Sequence, residues 1–228
     1  MIKRLGTKKT LLVFAQAINE RLGTMENECS AYGCNYCRTA ASFKGEYNKM
    51  PKTCPTLTHE AITKDVTGYF EEPNRSIMRV ADQTPFTENQ VLRNRVEELG
   101  FYLKEMKHQK VGIAFCVTLL KETQNLINVL QEQGLICVAV CCRVGAVDYD
   151  EIGLLKAHPE QFAAICNPIA QSKLLNQADV DIIILMGLCL GHDILFQREV
   201  KADCTTLVVK DRVFNPAPLR EITDSQKN

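Results

Sequence analysis

The stretch Val180-Asp181-Ile182-Ile183-Ile184-Leu185-Met186-Gly187-Leu188-Cys189-Leu190-Gly191-His192-Asp193 decides the fold. From Val180 to Leu188 it is apolar apart from Asp181. A continuous β-branched run of this kind reads as a strand buried on both faces, which places it in a parallel sheet covered by helices on either side. Gly187 and Gly191 then bracket Cys189 in a tight turn, and His192-Asp193 opens a short helix that runs to Glu199.

Working outward, Val111–Phe115, Ile136–Val140 and Thr205–Val209 read as three more strands. Thr118–Gln133, ending at Gly134, and Pro168–Asn176 read as helices between them. The alternation predicts an α/β fold over residues 109–228: a doubly wound, mainly parallel four-stranded sheet, Rossmann-like in arrangement. No Gly-x-Gly-x-x-Gly or Walker-type loop occurs, so the ordinary dinucleotide and nucleotide motifs are absent.

Upstream the texture changes. Residues 58–108 read as a helical arm in three segments, Thr58–Phe70, Pro73–Ala81 and Glu88–Lys107. In the third, Val91, Leu92, Val96, Leu99, Tyr102, Leu103 and Met106 recur at helical spacing. Residues 25–57 are rich in Cys, Gly, Tyr and Lys and lack periodicity. They read as a small cysteine-rich knuckle that needs an external staple. Residues 1–24 form an N-terminal extension, and Met25 is an alternative natural start.

Composition narrows the function classes. The apolar fraction of 46% supports a substantial core, and 27 basic residues balance 27 acidic ones. No global positive field is available to attract nucleic acid or anionic lipid, so nucleic acid is not an expected partner. The longest apolar run, Val180–Leu190, falls far short of the roughly 20 residues a bilayer span requires. Lys3, Arg4, Lys8 and Lys9 before Leu11–Ala15 resemble a signal peptide, but Gln16, Asn19, Glu20 and Arg21 cut the apolar part short. The expected location is cytoplasmic. There an odd count of 11 cysteines reads as metal ligands or reduced thiols rather than a disulfide framework.

The cysteines form two groups. Cys116, the pair Cys141-Cys142 and Cys189 each stand where a predicted strand stops. If the strands are parallel, these thiols share the carboxyl edge of the sheet, where open α/β sheets bind ligands. Cys166, just before Asn167-Pro168, stands at a helix start that favours a thiolate. His192 is a further candidate ligand, with Asp193 as its orienting carboxylate. Lys210-Asp211-Arg212 follows the last strand and reads equally as a contact for an anionic ligand and as a solvated turn. The plainer alternative for any of these cysteines is a small buried hydrophobe, and that reading is preferred for Cys137 and Cys204.

The N-terminal group is Cys29, Cys34, Cys37 and Cys54. Its Cys34-Asn35-Tyr36-Cys37 core has the spacing with which two thiolates grip one zinc ion or one iron of a cluster, and Cys29 and Cys54 complete four sulfurs. A redox pair is the competing reading, although no strand precedes it as such motifs normally require.

Five motifs in order, Ala114-Phe115-Cys116, Cys141-Cys142-Arg143-Val144-Gly145, Cys166-Asn167-Pro168-Ile169-Ala170-Gln171, Gly187-Leu188-Cys189-Leu190-Gly191-His192-Asp193 and Val209-Lys210-Asp211-Arg212-Val213, together resemble the cysteine-rich family called domain of unknown function 1847. The resemblance runs from about Cys29 to Val213. It implies metal or iron-sulfur binding through the cysteines and assigns no reaction. Where a Gly-His-Asn-Pro-like continuation is expected after Val213, this chain has Phe214-Asn215-Pro216.

The expectation from sequence is therefore a zinc or iron-sulfur protein with redox or electron-transfer chemistry and a redox partner protein. One alternative is a thiol-dependent enzyme using Cys166 or Cys189 with His192 as base. Another is a zinc-stapled protein-interaction module.

Overall fold

The computed structural model describes Cys34 and residues 40–213. Cys29 and Cys37 lie outside the described residues, as does the segment after Val213. The chain divides into two compact units, residues 1–75 and 76–228.

In the first unit the described backbone is a string of short turns. Helices α1 (Ala41–Lys44), α2 (Pro55–Thr58) and α3 (Glu60–Thr63) are accompanied by a 3-10 turn at Tyr47–Lys49, between α1 and α2, and another at Thr67–Phe70, after α3. Ala41, Met50 and Cys54 form its small buried cluster. The single helix expected over Thr58–Phe70 is not formed. His59, at φ −130° and ψ 44°, separates α2 from α3. Further on, the Asp65 carboxylate accepts from the Thr67 amide at 3.0 Å, a local turn that competes with helical hydrogen bonding.

Helix α4 (Asn74–Gln83) leads into the second unit. The helix expected over Glu88–Lys107 is shorter than its apolar spacing suggested, because α5 spans Arg95–Glu105. Its start is fixed chemically: Asn94 Oδ1 accepts from Val96 and Glu97 amides, and the Glu97 carboxylate accepts from the Asn94 amide at 2.8 Å. This reciprocal capping box sets the boundary. Val91 and Leu92 therefore lie outside the helix, and Leu92 bridges Phe86 in an antiparallel turn instead.

Strands β1 (Lys110–Phe115), β2 (Ile136–Cys141), β3 (Ile182–Met186) and β4 (Asp203–Val208) pair in the order β2-β1-β3-β4, all parallel. Helix α6 (Leu120–Glu132) follows β1, α7 (Pro168–Gln177) precedes β3, and α8 (His192–Glu199) precedes β4. On one face Val111, Ile113, Phe115, Ile182, Ile184 and Met186 pack with Leu99 and Leu103 of α5 and Leu126 and Leu130 of α6. On the other, Ala114, Ile183 and Leu185 pack with Leu175 of α7 and Phe196 of α8. Both faces are covered, as the unbroken Ile182–Met186 run requires. The expected doubly wound α/β sheet is thus present.

The chain leaves β1 for β2 on one side and then crosses to β3 on the other. The order reverses between β1 and β3, which opens the crevice where such sheets take ligands. No helix among the described residues is long and apolar enough to cross a membrane.

Candidate functional site

Parallel pairing brings the ends of the strands to one edge. Cys116 directly follows β1, and its amide donates to Met186 O at 3.0 Å. Cys142 directly follows β2, its amide donating to Phe115 O at 2.8 Å. The Cys142 carbonyl in turn accepts from the Asn167 amide at 2.7 Å, which draws the start of α7 and Cys166 alongside. Asn167 caps α7 by accepting from the Ala170 amide at 3.1 Å.

Cys189 arrives by a turn that depends on Gly187. That glycine sits at φ +65°, and a Cβ there would stand 2.4 Å from Leu119 Cδ1. A side chain there would force the Leu119 side chain to move and would strain the left-handed backbone. The turn closes as the His192 amide donates to Cys189 O at 2.9 Å.

Four thiols meet electrostatically in this arrangement. Burial pushes the Cys142 thiol up to about 12; the Val117 amide, donating to its sulfur at 3.3 Å, works against the rise, while Cys166 and Cys116 add to it. Burial likewise raises the Cys189 thiol, and the neighbouring Cys116 and Cys166 raise it further against the pull of Arg212. Couplings thus run around a ring, Cys142 to Cys166 to Cys189 to Cys116 and back to Cys142.

Cations stand around that ring. Lys210 Nζ donates to Cys116 Sγ at 3.4 Å and also bonds the Thr118 hydroxyl, which lies 3.4 Å from the same sulfur. Burial opposes ionisation of Cys116, but Thr118 and Lys210 outweigh it and hold the thiol below its ordinary range. Arg212 donates to Cys189 Sγ at 3.1 Å. Burial disfavours the Arg143 cation, yet Cys166, Tyr149 and Cys142 together hold it more firmly protonated than usual.

Two buried polar atoms beside this edge lack a partner. Gln171 of α7 is 0% exposed and donates from Nε2 to Phe115 O at 3.3 Å and Val140 O at 2.7 Å, leaving its Oε1 unpaired. The Nδ1 atom of His192 is similarly buried and unpaired. Buried orphans of this kind are uncommon.

The predicted residues thus part company. Cys116, Cys142, Cys166 and Cys189 stand along the carboxyl edge of the sheet, with His192 on the turn that carries Cys189. Cys141 does not join them: as the last residue of β2 it packs against the sheet face that holds Phe115 and Met186. Consecutive strand residues point to opposite faces, so the Cys141-Cys142 pair could place only one thiol here. Asp193 caps the backbone, its Oδ1 accepting from Gly191 and Ile194 amides at 2.9 and 2.8 Å, rather than orienting the neighbouring imidazole.

Cys137 and Cys204 pack into the two sheet faces, and burial pushes Cys204 up to about 11. In the first unit Cys34 is exposed and Cys54 is buried. Thr56 and Ser42 lower the Cys54 thiol, with the Ser42 hydroxyl 3.6 Å from its sulfur. Among the described residues no three His, Cys, Asp or Glu side chains gather as ligands of one metal ion.

Sequence reasoning noted Lys210 and Arg212 only as an ambiguous turn and passed over Thr118, Tyr149 and Gln171. The signal for Gln171 was present: a glutamine one turn beyond Pro168 that would face the sheet.

The sites found here sit in a recognised sequence family. The model described as "Protein of unknown function (DUF1847)" matches residues 54–207. The chain belongs to that family. An uncharacterized protein of Methanocaldococcus jannaschii is 35% identical over 182 residues, covering 80% of this chain and 89% of the relative. No solved structure matches the chain. The DUF1847 match takes in Cys54 and every sheet-edge cysteine, whereas Cys29, Cys34 and Cys37 fall before it and Lys210 and Arg212 just after it.

Proposed function

We propose that this DUF1847 protein binds an iron-sulfur cluster through Cys116, Cys142, Cys166 and Cys189 and uses it in electron transfer. The observation that carries the reading is the delivery of Cys116, Cys142, Cys166 and Cys189 by four separate segments to the carboxyl edge of one parallel sheet.

The donor set suits a soft, thiophilic group. Ligands of a single zinc ion lie about 2.3 Å from the metal and hence within roughly 4 Å of one another, and no three candidate ligands here gather in that way. An iron-sulfur cluster spreads its sulfur ligands over several irons rather than around one ion. When bound, such a group supplies one-electron redox chemistry.

The residues of this chain set its surroundings. Lys210, Arg212 and Arg143 offset the negative charge of four thiolates, which would otherwise repel one another in a partly buried site. The Val117 amide supplies a hydrogen bond to the Cys142 sulfur, the kind of contact that tunes a cluster's potential. The His192 imidazole and the Gln171 amide oxygen remain available to a group that reaches them.

Anaerobic purification followed by iron, acid-labile sulfide and zinc analysis tests the reading. Iron and sulfide in comparable amounts are expected. Folded protein that takes up no iron and sulfide on anaerobic reconstitution would overturn it.

A second reading has one specific observation in its favour. The Cys116 thiol is held below its ordinary range by Thr118 and Lys210, the environment of a nucleophile. Cys116 is then a better choice than Cys189, whose thiol burial raises. Rapid, selective alkylation of Cys116 in metal-free protein at neutral pH would favour it.

A further inference from the structure

Strand β4 is irregular at its carboxyl end. Leu185 of β3 pairs with Thr206, but the next residue, Met186, pairs with Val208, so Leu207 is an extra residue on the β4 side. The packing records the same shift. Leu207 and Val208, adjacent in sequence, both lie against the face that holds Phe115 and Met186, whereas Cys204 lies against the other. A regular strand sends neighbours to opposite faces. Bulges recur beside functional sites, where they re-aim a side chain.

The side chain re-aimed here is that of Lys210, two positions after Val208. Its Nζ donates to Cys116 Sγ at 3.4 Å and bonds the hydroxyl of Thr118, in the 3-10 turn Val117–Leu119 that leads into α6. Its Cδ lies 3.9 Å from the point where a Cβ on Gly187 would stand, so its stem runs beside the turn that delivers Cys189. The Gly187 amide, donating to Val208 O at 2.7 Å, ties the two segments together. Arg212 follows and donates to Cys189 Sγ at 3.1 Å, while Asp211 Oδ1 accepts from the Val213 amide at 2.8 Å. One short segment thus places a charged donor on each of two sulfurs that come from the ends of different strands. Cys142, by contrast, receives the neutral amide of Val117.

Resting on the cluster reading above, we propose that Lys210 and Arg212 are positioning residues that hold up the reduction potential of the cluster, each through the sulfur it touches. Reduction adds negative charge to a thiolate-bound cluster. A cationic donor on a ligating sulfur stabilises that added charge more than it stabilises the oxidised form, and hydrogen bonds to sulfur are among the determinants of cluster potential. The Asp211 carboxylate cancels one of the two positive charges of the segment. The effect of the pair therefore comes from contact with sulfur, not from the overall charge nearby.

The test is an anaerobic redox titration, followed by electron paramagnetic resonance, of reconstituted full-length protein and its variants, with iron and sulfide measured on each. Lys210→Met and Arg212→Gln should keep iron and lower the midpoint. Each should raise the oxidised-to-reduced ratio at a fixed potential roughly tenfold, which is about 59 mV for a one-electron couple. Lys210→Arg and Arg212→Lys keep a charged donor and should restore most of that shift. Arg198→Gln, which removes an exposed cation in the last turn of α8, should leave the midpoint in place. An unchanged midpoint in iron-loaded Lys210→Met and Arg212→Gln, an equal shift from Arg198→Gln, or no recovery in the conservative variants would overturn the inference and leave the cluster reading standing. Folded variants that lose their iron would do the same, because the pair would then serve assembly. Parent protein that takes up no iron and sulfide would overturn the cluster reading itself, and the inference with it.

Discussion

The two ends of the sheet are built from the same four strands and serve different purposes. At the amino end, the Asp181 carboxylate accepts from Gln109 and Lys110 amides at 2.7 and 2.8 Å, and the Lys110 ammonium reaches the Ala178 carbonyl. Polar groups there satisfy one another locally. At the carboxyl end four cysteines line one edge, Lys210 and Arg212 donate to the sulfurs of Cys116 and Cys189, and buried atoms of Gln171 and His192 stand without partners. Polar groups at one end satisfy one another, while the other end gathers thiols, cations and unsatisfied polarity, the features that perturb ionisation at functional sites.

The largest expected effect breaks the carboxyl end alone. Cys142→Ser or Cys166→Ser should abolish iron and sulfide incorporation while leaving a cooperative unfolding transition, read by metal analysis beside thermal denaturation. Retained iron in both variants would detach these residues from the site.

Next in size is Gly187→Ala. Adding a Cβ at φ +65° against Leu119 should cost about 3 kcal/mol, from overpacking and backbone strain together. Denaturant unfolding measures it, and a cost below about 1 kcal/mol would mean that the turn yields more readily than its contacts imply.

A smaller effect is expected at the amino end. Hydrogen bonds from the Lys110 and Gln109 amides hold the Asp181 carboxyl below its usual range. A depressed folded-state value means that the ionised form favours folding. This stabilisation is present above the unfolded-state value of about 3.9 and is lost as pH falls through the folded one. Asp181→Asn should cost about 1 kcal/mol at neutral pH. The gap between variant and parent should close in acid, and iron content should not change.

The smallest effect sharpens the contrast among the cysteines themselves. Cys204→Ala should lower stability by about 1 kcal/mol through lost packing and leave metal content untouched. Loss of iron in that variant would show that sheet-face thiols contribute to the site.

Much of this comparison was legible in the sequence, and the failures have physical causes. The Ile182–Met186 run announced a strand buried on both faces because only a parallel, helix-covered sheet shields such a run from water. Strand-terminal positions of Cys116, Cys142 and Cys189 then implied a shared edge. The helix expected to begin at Glu88 failed because apolar spacing continued through Val91 and Leu92 while the Asn94–Glu97 capping box set the true start. Thr58–Phe70 failed because local turns at His59 and Asp65 competed with the helix.

By itself the sequence determined the sheet, its parallel sense and the edge to which the thiols come, because burial period and strand ends are local properties of the chain. Only the tertiary structure decided which thiols turn into a sheet face and which stay at the edge. The alternation of side chains across β2 sent Cys141 to one face and left Cys142 at the site. The meeting of Lys210 with Cys116, Arg212 with Cys189 and Gln171 with the ends of β1 and β2 likewise joins residues far apart in the chain, and no local pattern encodes such encounters.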